Sequence, residues 1–196
     1  MLPKRIRLIA GLGNPGETYK KTRHNTGFMV LEKVAKSFSI SFDKEKFDVI
    51  FGRGVIENVE VVLAKPQSFM NRSGPPLRHL SDYYGILCED MLIIHDDIDL
   101  AFGRIKIKEK GGHGGHRGLK SLIDAFGKGD FARLRIGVGR SERLSVTDYV
   151  LSKFSLEEEM LLDEVIARAR DAVVSFYVDG IKTCMNKFNQ KLIISS

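Results

Sequence analysis

The chain has 196 residues, 43% of them hydrophobic and 29% charged, with 31 basic against 25 acidic side chains and a formal net charge of +6. Such a composition belongs to a folded globular protein and excludes an intrinsically disordered one, while apolar runs only a handful of residues long fall short of a bilayer span. The moderate basic excess favours a polyanionic partner over a basic one but does not by itself require nucleic acid.

At this length a single domain covering residues 1–196 is expected. Ile6 to Ala10 is a short apolar run that passes directly into a turn with glycines at 11, 13 and 16. It is too short for a secretory segment and reads as the first core strand. Apolar residues at Phe28, Leu31, Val34, Ala35 and Phe38 then predict a helix over about 27–37. Residues 40–46 are polar and charged. Strands are expected at 47–51 and 55–64, with Gly52 and Gly54 or the pair Glu57-Asn58 as turn positions. Pro75-Pro76 opens a helix over about 76–86.

Met91 to His95 is a continuous apolar run, the pattern of a central strand covered on both faces. Residues 103–108 alternate basic and apolar, so Arg104, Lys106, Lys108 and Lys110 would share one face. That stripe is either a surface for a polyanion or the guarded face of an edge strand. A glycine-histidine loop (111–118) leads into a helix over 118–126, and 131–138 reads as a strand with Arg133 and Arg135 on its polar face. Residues 139–154 lack a hydrophobic period and are expected to be a surface segment, a candidate lid. Ser155 and Glu158 form a capping box that opens a long helix. Its apolar stripe runs from Leu156, Met160 and Leu161 to Phe176, and Asp179-Gly180 ends it. A short helix over 181–188 follows. The result is one α/β domain around a mixed sheet.

The glycine turn GLGNPG matches G-x-G-x-x-G, but a dinucleotide site needs a helix that begins inside the motif, and here the helical pattern starts only near residue 27. His24, His95, His113 and His116 lie near strand ends or among glycines and are candidates to converge, whereas His79 reads as structural. A metal site among these histidines and Asp96 or Asp97 is conceivable, but nothing in the sequence requires one. Cys88 and Cys184 sit in patterned helical segments with no CxxC spacing and read as buried thiols of a reducing compartment. A histidine base needs a carboxylate to fix its tautomer. His24 or His95 would serve as the base and Asp96, Asp97 or Asp99 as the partner. No serine or cysteine stands out as a nucleophile, so activated water is the simpler chemistry. Asn14 and Asn71, at strand-exit turns, suit the orientation of a substrate carbonyl or amide.

The blocks GLGNPG-x-x-Y-x-x-TRHN, FMN-x-SG, HDDIDL, KGGHGGH-x-GLK and RLRIGVG, in this order, resemble the bacterial peptidyl-tRNA hydrolase family. With the tail FYVDGIKTCMNKFN the resemblance is essentially full length. It implies a single α/β domain with a twisted mixed sheet and helices on both faces, monomeric and cytoplasmic. The implied activity is cleavage of the ester between peptide and tRNA without metal or cofactor. It also implies His24 as the catalytic base and Asp96 as its partner. Asn14, Tyr19, Met70, Asn71, His116 and Arg117 fall on substrate-binding positions, and Lys108 and Arg135 on positions that grip tRNA phosphate. One residue departs from the pattern: the family motif usually reads GGHGGHNGLK, and here Arg117 replaces the asparagine. An arginine donates but cannot accept. A family branch that acts as an intron-splicing cofactor, an RNA-binding role without hydrolysis, is the alternative to an enzyme.

Overall fold

A computed structural model describes residues 5–190. Its strands are β1 (Arg7–Gly11), β2 (Lys44–Lys46), β3 (Val49–Ile56), β4 (Val59–Pro66), β5 (Met91–Asp97), β6 (Ile105–Lys108) and β7 (Ala132–Gly137). They form one mixed sheet in the order β2-β3-β4-β1-β5-β7-β6. The inner strands β4, β1, β5 and β7 run parallel, and antiparallel pairs flank them. The helices are α1 (Thr26–Ser37), α2 (Gly74–Tyr84), α3 (Arg117–Phe126), α4 (Val146–Leu151), α5 (Leu156–Val178) and α6 (Ile181–Phe188).

Alternation along the strands builds two cores. Ile9, Leu92 and Ile94 face α1, α5 and α6 through Val30, Val173 and Cys184. Leu8, Ala10 and Ile93 face α2 and α3 through Leu77, Leu80, Leu119 and Leu122. A strand covered on both faces gains from an apolar residue at every position, which is why β1 and β5 read as unbroken runs. Each fully buried leucine or isoleucine contributes about 1.5–3 kcal/mol.

Glycine sets how closely α1 meets the sheet. A Cβ on Gly27 would lie 2.4 Å from the Ile94 carbonyl oxygen and 2.5 Å from that of Leu12. The first turn of α1 therefore rests on the backbone of β5 and of the chain leaving β1. The segment just before it, a 3-10 turn at Arg23–Asn25, is thereby held over the end of β5. At the other end of the chain, Ser155 and Glu158 make the expected capping box, and Gly180 at φ 81° follows the end of α5.

Several sequence expectations are revised. Phe47 is not in a strand: Phe47-Asp48, both at φ 56°, turn β2 into β3. The short, fully exposed β2 (Lys44-Glu45-Lys46) is a charged edge strand without an apolar signature. Glu57-Asn58, not Gly52 or Gly54, joins β3 to β4. Cys88 lies in a 3-10 turn and not in a helix, though it is buried as expected. Residues 139–154 are largely exposed, as expected of a surface segment, but contain a helix, α4, and Val150 and Phe154 anchor the end of the segment by burial. The stripe of α5 packs only from its middle onward: Leu156 and Met160 are 78% and 79% exposed.

Candidate active site

The carboxyl ends of β1, β4 and β5 open into one cleft of about 630 Å³, the usual ligand position in a parallel sheet. All ten predicted site residues line it: Asn14, Tyr19, His24, Met70, Asn71, Asp96, Lys108, His116, Arg117 and Arg135. There is no helix within residues 11–16; the first helical turn begins at Arg23. The amide cradle of a dinucleotide fold is therefore missing.

Asp96 is the centre. It is 2% exposed, and its Oδ1 lies 2.8 Å from His24 Nδ1 and 3.0 Å from His116 Nε2. Burial alone would raise this carboxyl, but the charges and hydrogen bonds of His24 and His116 outweigh it and hold Asp96 far below the usual carboxylate range. It is a permanent anion. His116 caps α3: its Nδ1 accepts from the amides of Gly118 and Leu119 at 3.1 and 3.2 Å. A neutral imidazole that accepts at one nitrogen donates from the other, so Nε2–H points to Asp96. His24 likewise donates from Nδ1, which leaves its Nε2 lone pair without a partner among the described residues, facing the cleft.

The same tautomers oppose a metal ion at this cluster. His24, Asp96 and His116 place ligand atoms within 4.8 Å of one another. His116 offers only an N–H in that direction, and the backbone amides oppose the other tautomer. The donor set does not fit an ion.

His95 stands behind this group. Its Nδ1 donates to the Asp96 carbonyl at 2.6 Å, its ring packs edge-on against His116, and its buried Nε2 has no partner among the described residues. Burial first, and then His116, push its pKa down to about 3. His95 is a neutral, buried ring. The other two acids are paired elsewhere: Asp97 accepts from Arg135 at 2.6 Å and Asp99 from Arg140 at 2.9 Å. His113 also lies apart from the cluster, exposed, with its Nδ1 accepting from Gly115 N.

Asn14 is fixed on three sides. Its Oδ1 accepts from Met70 N at 2.8 Å, and its backbone exchanges two hydrogen bonds with the Asn25 side chain. With Oδ1 committed, the Asn14 amide group is available as a donor at the cleft. Asn71 is exposed at the rim, so the two asparagines are not equivalent. Tyr19 meets the exposed Phe69 edge-on at 6.5 Å.

Two arginines escaped the sequence reading. Arg133, taken for a surface residue, is 2% exposed and donates to the carbonyls of Gly111, Gly112 and Gly129. It ties the glycine loop to β7. Arg23 is buried between Tyr149 and Phe154, pairs with Glu158 and donates to Lys153 O. It locks the His24 turn to the end of the 139–154 segment. The signal for both was adjacency: each sits within a motif, TRHN or RLRIGVG, whose neighbours line the cleft.

The peptidyl-tRNA hydrolase family profile matches residues 8–195. The chain is 43% identical to the peptidyl-tRNA hydrolase of Finegoldia magna over 187 residues, covering 95% of this chain and 99% of that one. To the Bacillus subtilis peptidyl-tRNA hydrolase it is 43% identical, with 94% and 99% covered. The crystal structure of the Acinetobacter baumannii peptidyl-tRNA hydrolase superposes with a TM-score of 0.88 at 41% identity, covering 95% of each chain.

Proposed function

The chain belongs to the peptidyl-tRNA hydrolase family and is a hydrolase of peptidyl-tRNA, and we propose that His24 activates the attacking water with Asp96 as its fixed partner. One observation carries this reading: His24 Nδ1 lies 2.8 Å from a buried carboxylate, with Nε2 left open to the cleft. Nε2 takes a proton from water, and the hydroxide attacks the ester carbonyl carbon. Asp96 stabilises the imidazolium that forms. The carbonyl oxygen gains negative charge, which the Asn14 amide is placed to meet, with Asn71 at the rim. As the carbonyl re-forms, the bond to the ribose oxygen breaks and that oxygen takes the proton from His24. The products are a peptide with a free carboxylate and a tRNA with a free terminal hydroxyl.

Tyr19, Met70 and His116 complete the acyl side of the cleft, and Lys108 takes backbone phosphate, helped by Arg135 through the terminal N–H groups that its Nε pairing with Asp97 leaves over. Phosphate contacts position the substrate without selecting among tRNA sequences. Membership of the family supports a single-domain enzyme that works as a monomer in the cytoplasm. No helix among the described residues is long and apolar enough to cross a membrane. The test is hydrolysis of labelled peptidyl-tRNA in ¹⁸O water. One ¹⁸O atom should appear in the peptide carboxylate with no acyl-enzyme. Binding of tRNA without peptide release would refute the hydrolase reading in favour of a splicing cofactor.

A further inference from the structure

Five cationic side chains line the cleft, and three of them are already engaged. Arg133 is spent on backbone carbonyls, Arg135 on Asp97 and Arg140 on Asp99. Lys108 and Arg117 are exposed and make no ion pair or side-chain hydrogen bond among the described residues. Arg117 is moreover in the wrong place for a solitary cation. It is the first residue of α3, whose first turn carries no acid, and a positive charge at the positive end of a helix is disfavoured. A residue that breaks a local rule beside a functional cleft points to a ligand that reverses the penalty.

The neighbouring chemistry says which ligand. Arg117 directly follows His116, whose Nε2 touches the same carboxylate oxygen as His24, so its side chain starts beside the reacting ester. The part of the substrate next to that ester which carries permanent negative charge is the phosphodiester backbone of the tRNA end. A guanidinium matches phosphate with two parallel donors. Resting on the hydrolase reading above, we propose that Arg117 is a specificity-determining residue that binds a backbone phosphate at the 3′ end of the tRNA. In this chain it gives the cleft a second unneutralised cation beside Lys108. An acidic side chain on the peptide is the other conceivable oxyanion, and the substrates below tell the two apart.

The experiment compares wild type, Arg117→Gln (R117Q) and Arg117→Lys (R117K) on three esters of one neutral N-acetylated amino acid (the full tRNA, a CCA trinucleotide and adenosine, which has no phosphate) and, beside them, on the adenosine ester of N-acetylaspartate, whose acyl group carries a carboxylate. Wild type should prefer the trinucleotide ester over the adenosine ester in kcat/KM. R117Q should reduce that preference about tenfold, the loss of one charge-assisted hydrogen bond, mostly through KM, and R117K should restore part of it. On the tRNA ester, the slope of log(kcat/KM) against log[salt] should become shallower by about 0.7–1 in R117Q. An unchanged preference in R117Q, or an equal loss on the adenosine ester, would overturn the phosphate assignment. A loss that appears only when the acyl group carries a carboxylate would place Arg117 on the peptide and overturn it too. The two readings separate in the wild-type protein: it cleaves all three esters if the proposed function holds, whatever residue 117 contributes.

Discussion

Replacing Asp96 with asparagine (D96N) separates charge from geometry at the centre of the site. Oδ1 of Asp96 accepts from both His24 and His116. An asparagine can turn either its oxygen or its NH₂ toward that pair. His116 decides between them, because the Gly118 and Leu119 amides hold its Nδ1 as an acceptor and its Nε2 must donate. The amide oxygen therefore stays toward the histidines, and His24 keeps the tautomer with Nε2 open. What disappears is the negative charge facing the imidazolium. For unit charges about 4 Å apart at an effective dielectric near 20, this is about 4 kcal/mol, or about 10³-fold in kcat. When His116 is replaced by alanine (H116A), nothing pins the amide. Its NH₂ can face His24, force the proton onto Nε2 and remove the base. D96N should then cost about tenfold more in the H116A background than in wild type. Single-turnover hydrolysis by the four proteins closes the cycle. An equal cost in both backgrounds would refute the role given to His116.

Other predictions follow from the same geometry. In the unfolded chain His95 takes up a proton near its ordinary value of 6.5, but in the fold only at about 3. The unfolded state therefore binds more protons within that window, and unfolding free energy falls by up to about 1.4 kcal/mol per unit as pH drops from 6.5 toward 3. Asp96, whose folded pKa is depressed, adds a further loss only below its ordinary value of 3.8. Urea melts at about pH 7 and about pH 5, in wild type and His95→Leu, measure the His95 part; equal slopes in the two proteins would contradict it. Gly27→Ala drives a methyl into the Ile94 and Leu12 carbonyls and should cost about 2–3 kcal/mol, read as a fall in Tm of about 5–10 °C; an unchanged Tm would mean that α1 does not rest on the sheet backbone. Arg133→Met leaves the Gly111, Gly112 and Gly129 carbonyls without their donor. Hydrogen exchange over residues 111–115 should accelerate about tenfold or more while β7 stays protected, and uniform protection would remove Arg133 as the clamp.

Much of the fold was legible because β1 and β5 are buried on both faces and announce themselves as continuous apolar runs, while α3 and the Ser155–Glu158 cap follow simple periodic or capping rules. The misreadings have physical causes. β2 is a charged edge strand stabilised only by pairing to β3, so no apolar alternation marks it. The first turns of α5 have an apolar pattern, but Leu156, Met160 and Leu161 are left exposed. Arg133 looked like an exposed strand residue because side-chain type alone does not reveal three carbonyl oxygens waiting in a glycine loop. In the site, the histidine-rich motifs showed that a cluster would form, yet two candidate bases and three candidate acids remained until distances were known. His95 was separated from His24 by its hydrogen bond to a backbone carbonyl and its enclosed Nε2, and Asp97 and Asp99 from Asp96 by their arginines. None of these partners is close in sequence, so no local pattern could have chosen among them.

The most direct test of the account is the single-turnover rate of peptide release from peptidyl-tRNA by His24→Ala, measured beside its affinity for the same substrate. Removal of a general base that activates water predicts a rate lower by about 10²–10⁴-fold with affinity changed only a few-fold. A His24→Ala enzyme that cleaves within a few-fold of wild type would contradict it.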